Sequence, residues 1–383
     1  MIPVDVALLA VAVVATAVHV TTALLAWWQL RRPQRAPVCP SHRVSLVRTV
    51  RNIDANEFEA LHSSFSLTYP DLELIFCAAS ADDPAIPAIR RLIAMHPHVN
   101  AQLLIGEDRF SANPKLNNMV KGWRVASSDW VIFADSNLLL PPDYVQRVLM
   151  AWTPDTGVVS APPIGGRAVG FWSELECAFL NTYQARWQYA ADATGLGFAQ
   201  GKTLCFRRDI LDRAGGLEVL ATELAEDAAA TKAIRTLGLK VRLAAPAFTQ
   251  PLGRRKGRDV LARQQRWAQL RRISFPGFFS LEILSGCLPL LLAAAGAADL
   301  VGLSAAEGVF VLGLVWLATE AALAVALGWQ LTWMSPLSWL VRDALIPYIW
   351  LRGWLQTGYE WGGAKVHHRR GKTALIDTPA RLG

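Results

Sequence analysis

The groups in this chain best suited to chemistry stand where apolar runs stop. Val131-Ile132-Phe133-Ala134 leads straight into Asp135-Ser136-Asn137, a carboxylate, a hydroxyl and an amide. A run so uniformly apolar reads as a parallel strand buried on both faces. Ligands of open α/β sheets bind beyond the carboxyl ends of such strands, so this triplet is a candidate for a metal and a phosphorylated ligand. Asp82-Asp83-Pro84 likewise follows an apolar run, Glu226-Asp227 opens a helical segment, and Arg263-Gln264-Gln265-Arg266-Trp267 precedes a long apolar stretch. Singly, the first three read more readily as helix caps and the last as a membrane-surface helix with a Trp belt. It is their succession on one frame that points to a site.

That frame begins at Val44. Periodicity and turn residues predict strands over 44–50, 72–78, 101–105, 130–134 and 157–161, and a last strand over 240–243. Helices are predicted over 56–66, 85–95, 115–126, 144–152 and 227–237, the last closed by Gly238. The stretch from 162 to about 208 reads as less regular. Strands alternating with helices predict an α/β fold of parallel strands joined by crossover helices.

Of the 383 residues 52% are hydrophobic, and the charges concentrate between Arg31 and Arg272, which describes a soluble middle with apolar ends. Residues 2–30 are long and apolar enough to span a bilayer, and the positive charges follow that stretch rather than precede it. The positive-inside rule then puts everything from Arg31 onward in the cytoplasm. Residues 281–303 and 309–329 are two further spans. If the middle and the basic tail share one side, the number of spans between them is even, and 336–355, which carries Arg342, Asp343 and Arg352, is an interfacial or re-entrant helix. The expected divisions are therefore a transmembrane helix (1–30), a catalytic domain (31–272), interfacial and transmembrane helices (273–356) and a basic cytoplasmic tail (357–383).

A formal charge of +7 is modest for this length, and the basic clusters at 31–35, 254–256 and 367–370 all border apolar segments, as membrane-surface anchors do. No RNP-like aromatic motif, zinc-finger spacing or basic zipper helix is present, which excludes the usual nucleic-acid binders. The five cysteines, Cys39, Cys77, Cys177, Cys205 and Cys287, stand singly, with no pairing that suggests a disulfide framework or a structural zinc.

Phe76-Cys77 followed by Asp82-Asp83-Pro84-Ala85-Ile86, then Asn113-Pro114-Lys115-Leu116-Asn117-Asn118, Asp135-Ser136-Asn137, Ala225-Glu226-Asp227 with Lys232-Ala233-Ile234, and Arg263 ahead of Arg266-Trp267 form a dense series. In it the stretch from Val44 to about Arg272 resembles the ceramide glucosyltransferases, membrane-bound inverting sugar transferases with a GT-A-type domain. The resemblance implies a UDP-sugar donor, a ceramide-like lipid acceptor and a divalent ion, Mg²⁺ or Mn²⁺. It makes Asp135 the metal ligand with Asn137 a weaker second one, Asp82 or Asp83 the uridine contact, and Lys115 a contact to phosphate or uracil. It makes Asp227 the base that takes the acceptor proton, and Arg266 and Trp267 the pair that closes over the donor, with Arg263 in support. Chemistry agrees, since a diphosphate of high negative charge needs a hard cation held by oxygen ligands. Two stretches depart from the family pattern: Arg48-Thr49-Val50-Arg51 stands where a Lys-Pro pair is usual, and 181–189 differs where the lipid acceptor approaches.

Two other transferases fit less well. Bacterial hopanoid glycosyltransferases share the layout but carry Asp-Ser-Asp and Asn-Arg-Lys at the corresponding motifs, and a processive polysaccharide synthase needs more spans than the two after Leu281. A catalytically silent membrane scaffold would have no use for the full set of acids. The Ala- and Arg-rich composition suggests a bacterial source, and so an inner-membrane protein with a cytoplasmic catalytic domain.

Overall fold

The computed structural model describes residues 2–33, 42–52, 55–356, 358–361, 364–369 and 372–376, with the backbone alone for 55, 56 and those from 359. Cys39, residues 34–35 and 370 of the basic clusters, and residues 357, 362–363, 370–371 and 377–383 of the expected tail lie outside the described residues. In chain order come α1 (Val4–Arg31), β1 (Val44–Val50), α2 (Ala55–His62), β2 (Leu72–Ala78), α3 (Ala85–Met95), β3 (Ala101–Ile105), α4 (Pro114–Val125), β4 (Trp130–Asp135), α5 (Tyr144–Met150), β5 (Thr156–Ser160) and β6 (Pro163–Ala168). Next are α6 (Phe171–Ala178), a π-helical stretch Phe179–Ala185, α7 (Arg186–Ala193), β7 (Thr203–Arg207), α8 (Arg208–Arg213), α9 (Glu226–Thr236), β8 (Lys240–Leu243) and β9 (Phe248–Gly253). The chain continues as α10 (Gly257–Ser274), α11 (Pro276–Leu281), α12 (Cys287–Ala297), α13 (Ala305–Leu327), α14 (Ser335–Leu355) and three short strands, β10 (Gly358–Trp361), β11 (Ala364–Arg369) and β12 (Lys372–Ile376).

These elements gather into two compact units. One holds the described parts of 31–164, 191–251 and the residues from 357; the other holds those of 1–30, 165–190 and 252–356. The expected boundary at 272 is thus replaced by crossings at 164/165, 190/191 and 251/252, and α10, with Arg263, Arg266 and Trp267, groups with the apolar helices.

The first unit is built on a seven-stranded sheet of order β3-β2-β1-β4-β7-β5-β8. β1 through β4 are parallel, in the register Val50↔Ala78 and Thr49↔Asp135, so β1, β2 and β4 end along one edge. Their side chains are buried on both faces, from Leu46 and Val47 to Phe76 and Phe133, as their unbroken apolar composition requires. α4 packs against β1 and β2 at Gly122, where an added Cβ would come within 2.4 Å of Val47 Cγ1. That close approach fixes the height of the helix above the sheet.

The frame differs from the sequence reading in three places. β7 runs antiparallel to both β4 and β5, so the sheet is mixed. β9 follows β8, which was expected to be the last strand. The stretch after residue 161 is largely helical: its inward faces carry Glu174, Glu176, Asn181, Thr182, Arg186, Gln188 and Asp192, all buried, so no apolar stripe reveals the helical period.

In the second unit α1 and α13 are long and apolar enough to cross a membrane. α13 is started by a Ser304–Glu307 capping box and ended by Gly328 in the left-handed conformation. The span expected over 281–303 is broken: the helical pair Pro276–Leu284 and Cys287–Val301 bends by 47°. The backbone donor freed at the break finds a carboxylate, with Cys287 N–H donating to Asp343 Oδ2 at 3.1 Å, and the Ser285 hydroxyl pairs with Tyr183 Oη at 2.8 Å. α14 is one continuous helix whose charges turn inward, Arg342 meeting Glu320 at 2.6 Å and Asp343 at 2.8 Å.

Candidate functional site

Strand β4 delivers Asp135 to the edge of the sheet, and the antiparallel pairing with β7 decides what faces it. Ala134 pairs with Thr203, and the Asp135 N–H donates to the Lys202 carbonyl at 3.1 Å, so Lys202 stands directly across from Asp135. Directly opposed residues of an antiparallel pair project to the same face. The Lys202 ammonium accordingly lies 2.9 Å from Asp135 Oδ2 and 2.9 Å from Asn137 Oδ1. Asp135 and Asn137 thus share one cation, and that cation belongs to the protein.

The loop that carries them is held from below by Arg48 of β1, which has no exposed surface. Its Nη2 donates to the carbonyls of Asp135, Ser136 and Leu138 at 2.7, 3.0 and 2.8 Å; its Nη1 donates to the Ala60 carbonyl at 2.7 Å and the Ser64 hydroxyl at 2.6 Å. Burial lowers its pKa to about 10, which still leaves it charged at neutral pH. In the sequence Arg48 stands out as a departure from the Lys-Pro pair usual in the family. The cue to its real place was an arginine inside an otherwise apolar strand, a position that is tolerated only when its donors are satisfied.

The other wall is the first turn of α4. Asn113 caps the helix by accepting from the Lys115 and Leu116 N–H groups at 2.8 and 3.1 Å, and Pro114 occupies the first turn, where its missing N–H costs nothing. Lys115 Nζ then sits 2.8 Å from Asp135 Oδ1 and 2.8 Å from Glu226 Oε1, and donates to the Gly201 carbonyl. Glu226 is 4% exposed, and its second oxygen accepts from Asn113 Nδ2 at 2.6 Å, so both its oxygens are engaged.

Asp227, next along α9, is only partly buried. Its Oδ2 accepts from the Gly201 N–H at 2.8 Å and its Oδ1 from the Ala228 N–H at 2.7 Å. Gly201 is confined by this arrangement, since a Cβ there would meet Glu226 Oε1 at 2.6 Å and Lys115 Nζ at 2.9 Å.

Environment pushes the acids apart. Burial and the neighbouring Glu226 carboxylate push the Asp227 pKa up to about 6, against the opposing pull of Lys115 and of the Gly201 and Ala228 N–H groups. Burial alone would also raise Asp135, but Lys115 and Lys202 overcome it and hold that carboxyl down at about 2. Lys115 loses by burial and gains more from Asp135 and Glu226, so it stays charged throughout the usual pH range. Acids separated in this way suit division of labour, a permanent anion for cation binding and a proton-avid one for acid–base work.

Two oxygens here could hold a divalent ion. Asp135 Oδ2 and Asn137 Oδ1 already share a stand-in cation, the Lys202 ammonium, and both are hard oxygen donors. Among the described residues no group of three or more His, Cys, Asp or Glu converges as a metal cage. A metal at this pair therefore has to complete its shell with ligand oxygens and water, as Mg²⁺ commonly does.

The remaining expected residues separate cleanly. Asp83 accepts from the Asn52 N–H at 3.1 Å and the Ala85 N–H at 2.9 Å, so it holds a turn and starts α3, whereas Asp82 is exposed. Arg263, Arg266 and Trp267 belong to the helical unit. There Arg263 binds Glu176, which also lies 3.9 Å from Arg255 Nε, and Trp267 packs on Cys177, Leu180 and Leu252. The sheet unit thus brings together Lys115, Asp135, Asn137 and Asp227, and adds Arg48, Asn113, Gly201, Lys202 and Glu226. For Lys202 a sequence cue existed, the Gly201-Lys202 pair directly ahead of an apolar run, but its partner was set by strand direction.

The profile of glycosyl transferase family 21 matches residues 6–374. Ceramide glucosyltransferase 3 of Caenorhabditis elegans is 26% identical over 331 residues, 85% of this chain and 72% of the relative. The ceramide glucosyltransferase of Candida albicans is 38% identical over 114 residues, 25% of this chain and 21% of the relative. Among solved structures, mannosyltransferase PcManGT of Pyrobaculum calidifontis, in complex with GDP-Man and Mn²⁺, superimposes with a TM-score of 0.55 at 22% identity, covering 91% of this chain and 99% of its own. That likeness establishes a GT-A-like fold for the chain.

Proposed function

This chain belongs to glycosyl transferase family 21, and from that premise we propose that it moves a hexose, glucose in the simplest case, from a UDP-sugar to the primary hydroxyl of a ceramide-like lipid with inversion at the anomeric carbon. The observation that carries the reading is the contrast between a partly exposed Asp227 with raised pKa and a permanently ionised Asp135, set together at the carboxyl edge of the sheet. The acceptor class draws on the relatives' names and on two helices apolar enough to cross a membrane. Arg31, the last residue of α1, and Arg32 directly after it favour a cytoplasmic catalytic unit, in a bacterial cell at the inner membrane.

In this mechanism Asp227 takes the proton of the acceptor hydroxyl as its oxygen attacks the anomeric carbon from the face opposite the diphosphate. The bond from that carbon to the diphosphate oxygen breaks with its electron pair, and the UDP leaves as an anion. Lys115 meets part of that charge. The family resemblance gives Arg266, supported by Arg263, a further share of that charge, and gives Arg266 and Trp267 the closing over the donor. A Mg²⁺ or Mn²⁺ ion bound at Asp135 and Asn137 supplies further positive charge to the diphosphate when present. Asp82 contacts the uridine, because Asp83 is committed to Asn52 and Ala85.

The direct test incubates the full chain in detergent with UDP-glucose, UDP-galactose and ceramide, and follows the lipid by mass spectrometry and its anomeric configuration by NMR. A β-linked hexosylceramide is the expected product. Absence of UDP release with every sugar and metal supplied would sink the enzymatic reading.

The base also sets a pH dependence. Asp227 accepts a proton only when ionised, so kcat/KM should fall as pH drops through about 6 and level off above it. The stability sign is opposite: a carboxyl whose pKa rises on folding favours the folded state while protonated, so its contribution is lost as pH rises from its unfolded value toward about 6. A rate profile flat between pH 5 and 7, with the fold intact, would remove Asp227 as the proton acceptor.

A further inference from the structure

Lys202 has no role in the scheme above, yet it occupies the one position the scheme needs for a metal. Its ammonium lies 2.9 Å from each of the two oxygens assigned to the divalent ion, and its side chain is 13% exposed. The backbone leaves it little choice of place, because Lys202 precedes β7 in register with Asp135 and its carbonyl already accepts the Asp135 N–H. Lys115 covers the other oxygen of the same carboxylate at 2.8 Å. The Asp135 charge is therefore matched by two ammonium groups, and a divalent ion taking Asp135 Oδ2 and Asn137 Oδ1 would have to displace Lys202, whose one carboxylate partner among the described residues is Asp135.

A nucleoside diphosphate changes that balance, since its oxygens can receive the displaced ammonium while the metal takes over Asp135 and Asn137. Resting on the reading that those two residues hold the divalent ion, we propose that Lys202 is a tethered counter-cation that keeps the metal position filled until a nucleoside diphosphate arrives, so that metal and nucleotide bind together. A lysine suits the exchange: a compact charge on a flexible four-carbon stem can swing between carboxylate and phosphate without moving the backbone.

Coupling between two ligands is reciprocal, so one titration pair measures it. Mn²⁺ binding to the full chain in detergent is read by the EPR signal of free Mn²⁺, with and without UDP, and UDP binding is read by calorimetry in Mn²⁺ and in EDTA. In the parent, each ligand should tighten the other by about 5–150-fold. Lys202→Met removes the competing charge while keeping the stem, so Mn²⁺ alone should bind about tenfold tighter or better and the coupling should shrink. Lys202→Arg, which keeps a charge there, should leave Mn²⁺ alone weakly bound; Lys202→Gln repeats the loss of charge should the Met variant not fold. If parent UDP affinity is the same in Mn²⁺ and EDTA, the metal reading fails and this proposal with it. If UDP binding requires Mn²⁺ but both neutral variants bind Mn²⁺ alone no better than the parent, the metal reading stands and the counter-cation role is overturned.

Discussion

Asp227→Asn should abolish most transfer while sparing donor binding. The amide matches the carboxylate in size and can still accept one of the two N–H groups, from Gly201 or Ala228, that now meet it. It cannot take a proton from a hydroxyl, so the rate is expected to fall by about 10²–10⁴-fold, the span usually lost with a positioned base. Stability should change little, because loss of one accepted N–H is offset by relief of repulsion from Glu226. Were Asp227 merely the start of α9, Asn would cap about as well and nothing would change. UDP-sugar affinity, thermal midpoint and single-turnover rate on this variant distinguish the two readings, and transfer within a few-fold of the parent would eliminate the base. The adjacent carboxylate is a poor substitute, because Glu226 is committed to Lys115 and Asn113 and is all but sealed from solvent.

The second large effect belongs to Arg48. Replacing it with Met keeps the volume of the stem and removes the three hydrogen bonds that Arg48 sends to the Asp135, Ser136 and Leu138 carbonyls. The Asp135 carbonyl keeps a second donor in the Leu138 N–H, and the Ala60 carbonyl keeps one in the Ser63 hydroxyl. The buried Leu138 carbonyl and the half-buried Ser136 carbonyl both lose the guanidinium. Two acceptors stranded in this way cost about 2–6 kcal/mol together. Arg48→Lys should recover only part of that loss, since one ammonium cannot serve the two sides that the planar fork reaches. Denaturant titration of the variants gives the stability, and UDP calorimetry shows whether the loop has lost its shape. A Met variant within about 0.5 kcal/mol of the parent, with unchanged UDP affinity, would show that the loop holds itself.

Much of the sheet unit was legible locally. The strands from Val44 to Asp135 and the helices between them announce themselves because a parallel strand buried on both faces must be apolar throughout and an amphipathic helix must repeat every 3.6 residues. The same local rules exposed Asp135 and Asp227, charged groups at the end of an apolar run and the start of a periodic one, whereas Lys115 was named only by the family resemblance. They also marked the apolar helices α1 and α13. Where polar residues pair inside the protein, as around Glu176 and Arg186, the period disappears and the helices between β6 and β7 went unseen.

What only the tertiary structure decided is who neutralises whom. Nothing in Thr203-Leu204-Cys205-Phe206 states that this strand runs antiparallel to β4, yet that direction brings Lys202 to Asp135 across 65 residues of chain from Asn137. The division of roles between Glu226 and Asp227, identical in local pattern, comes from Lys115 and Asn113 reaching one and the Gly201 backbone reaching the other. The break at Gly286 depends on Asp343 more than fifty residues later. A sequence records which residues must leave water, because burial is a property of each side chain in its local period. Charge compensation is a property of pairs, and the pairs are made by strand order and direction.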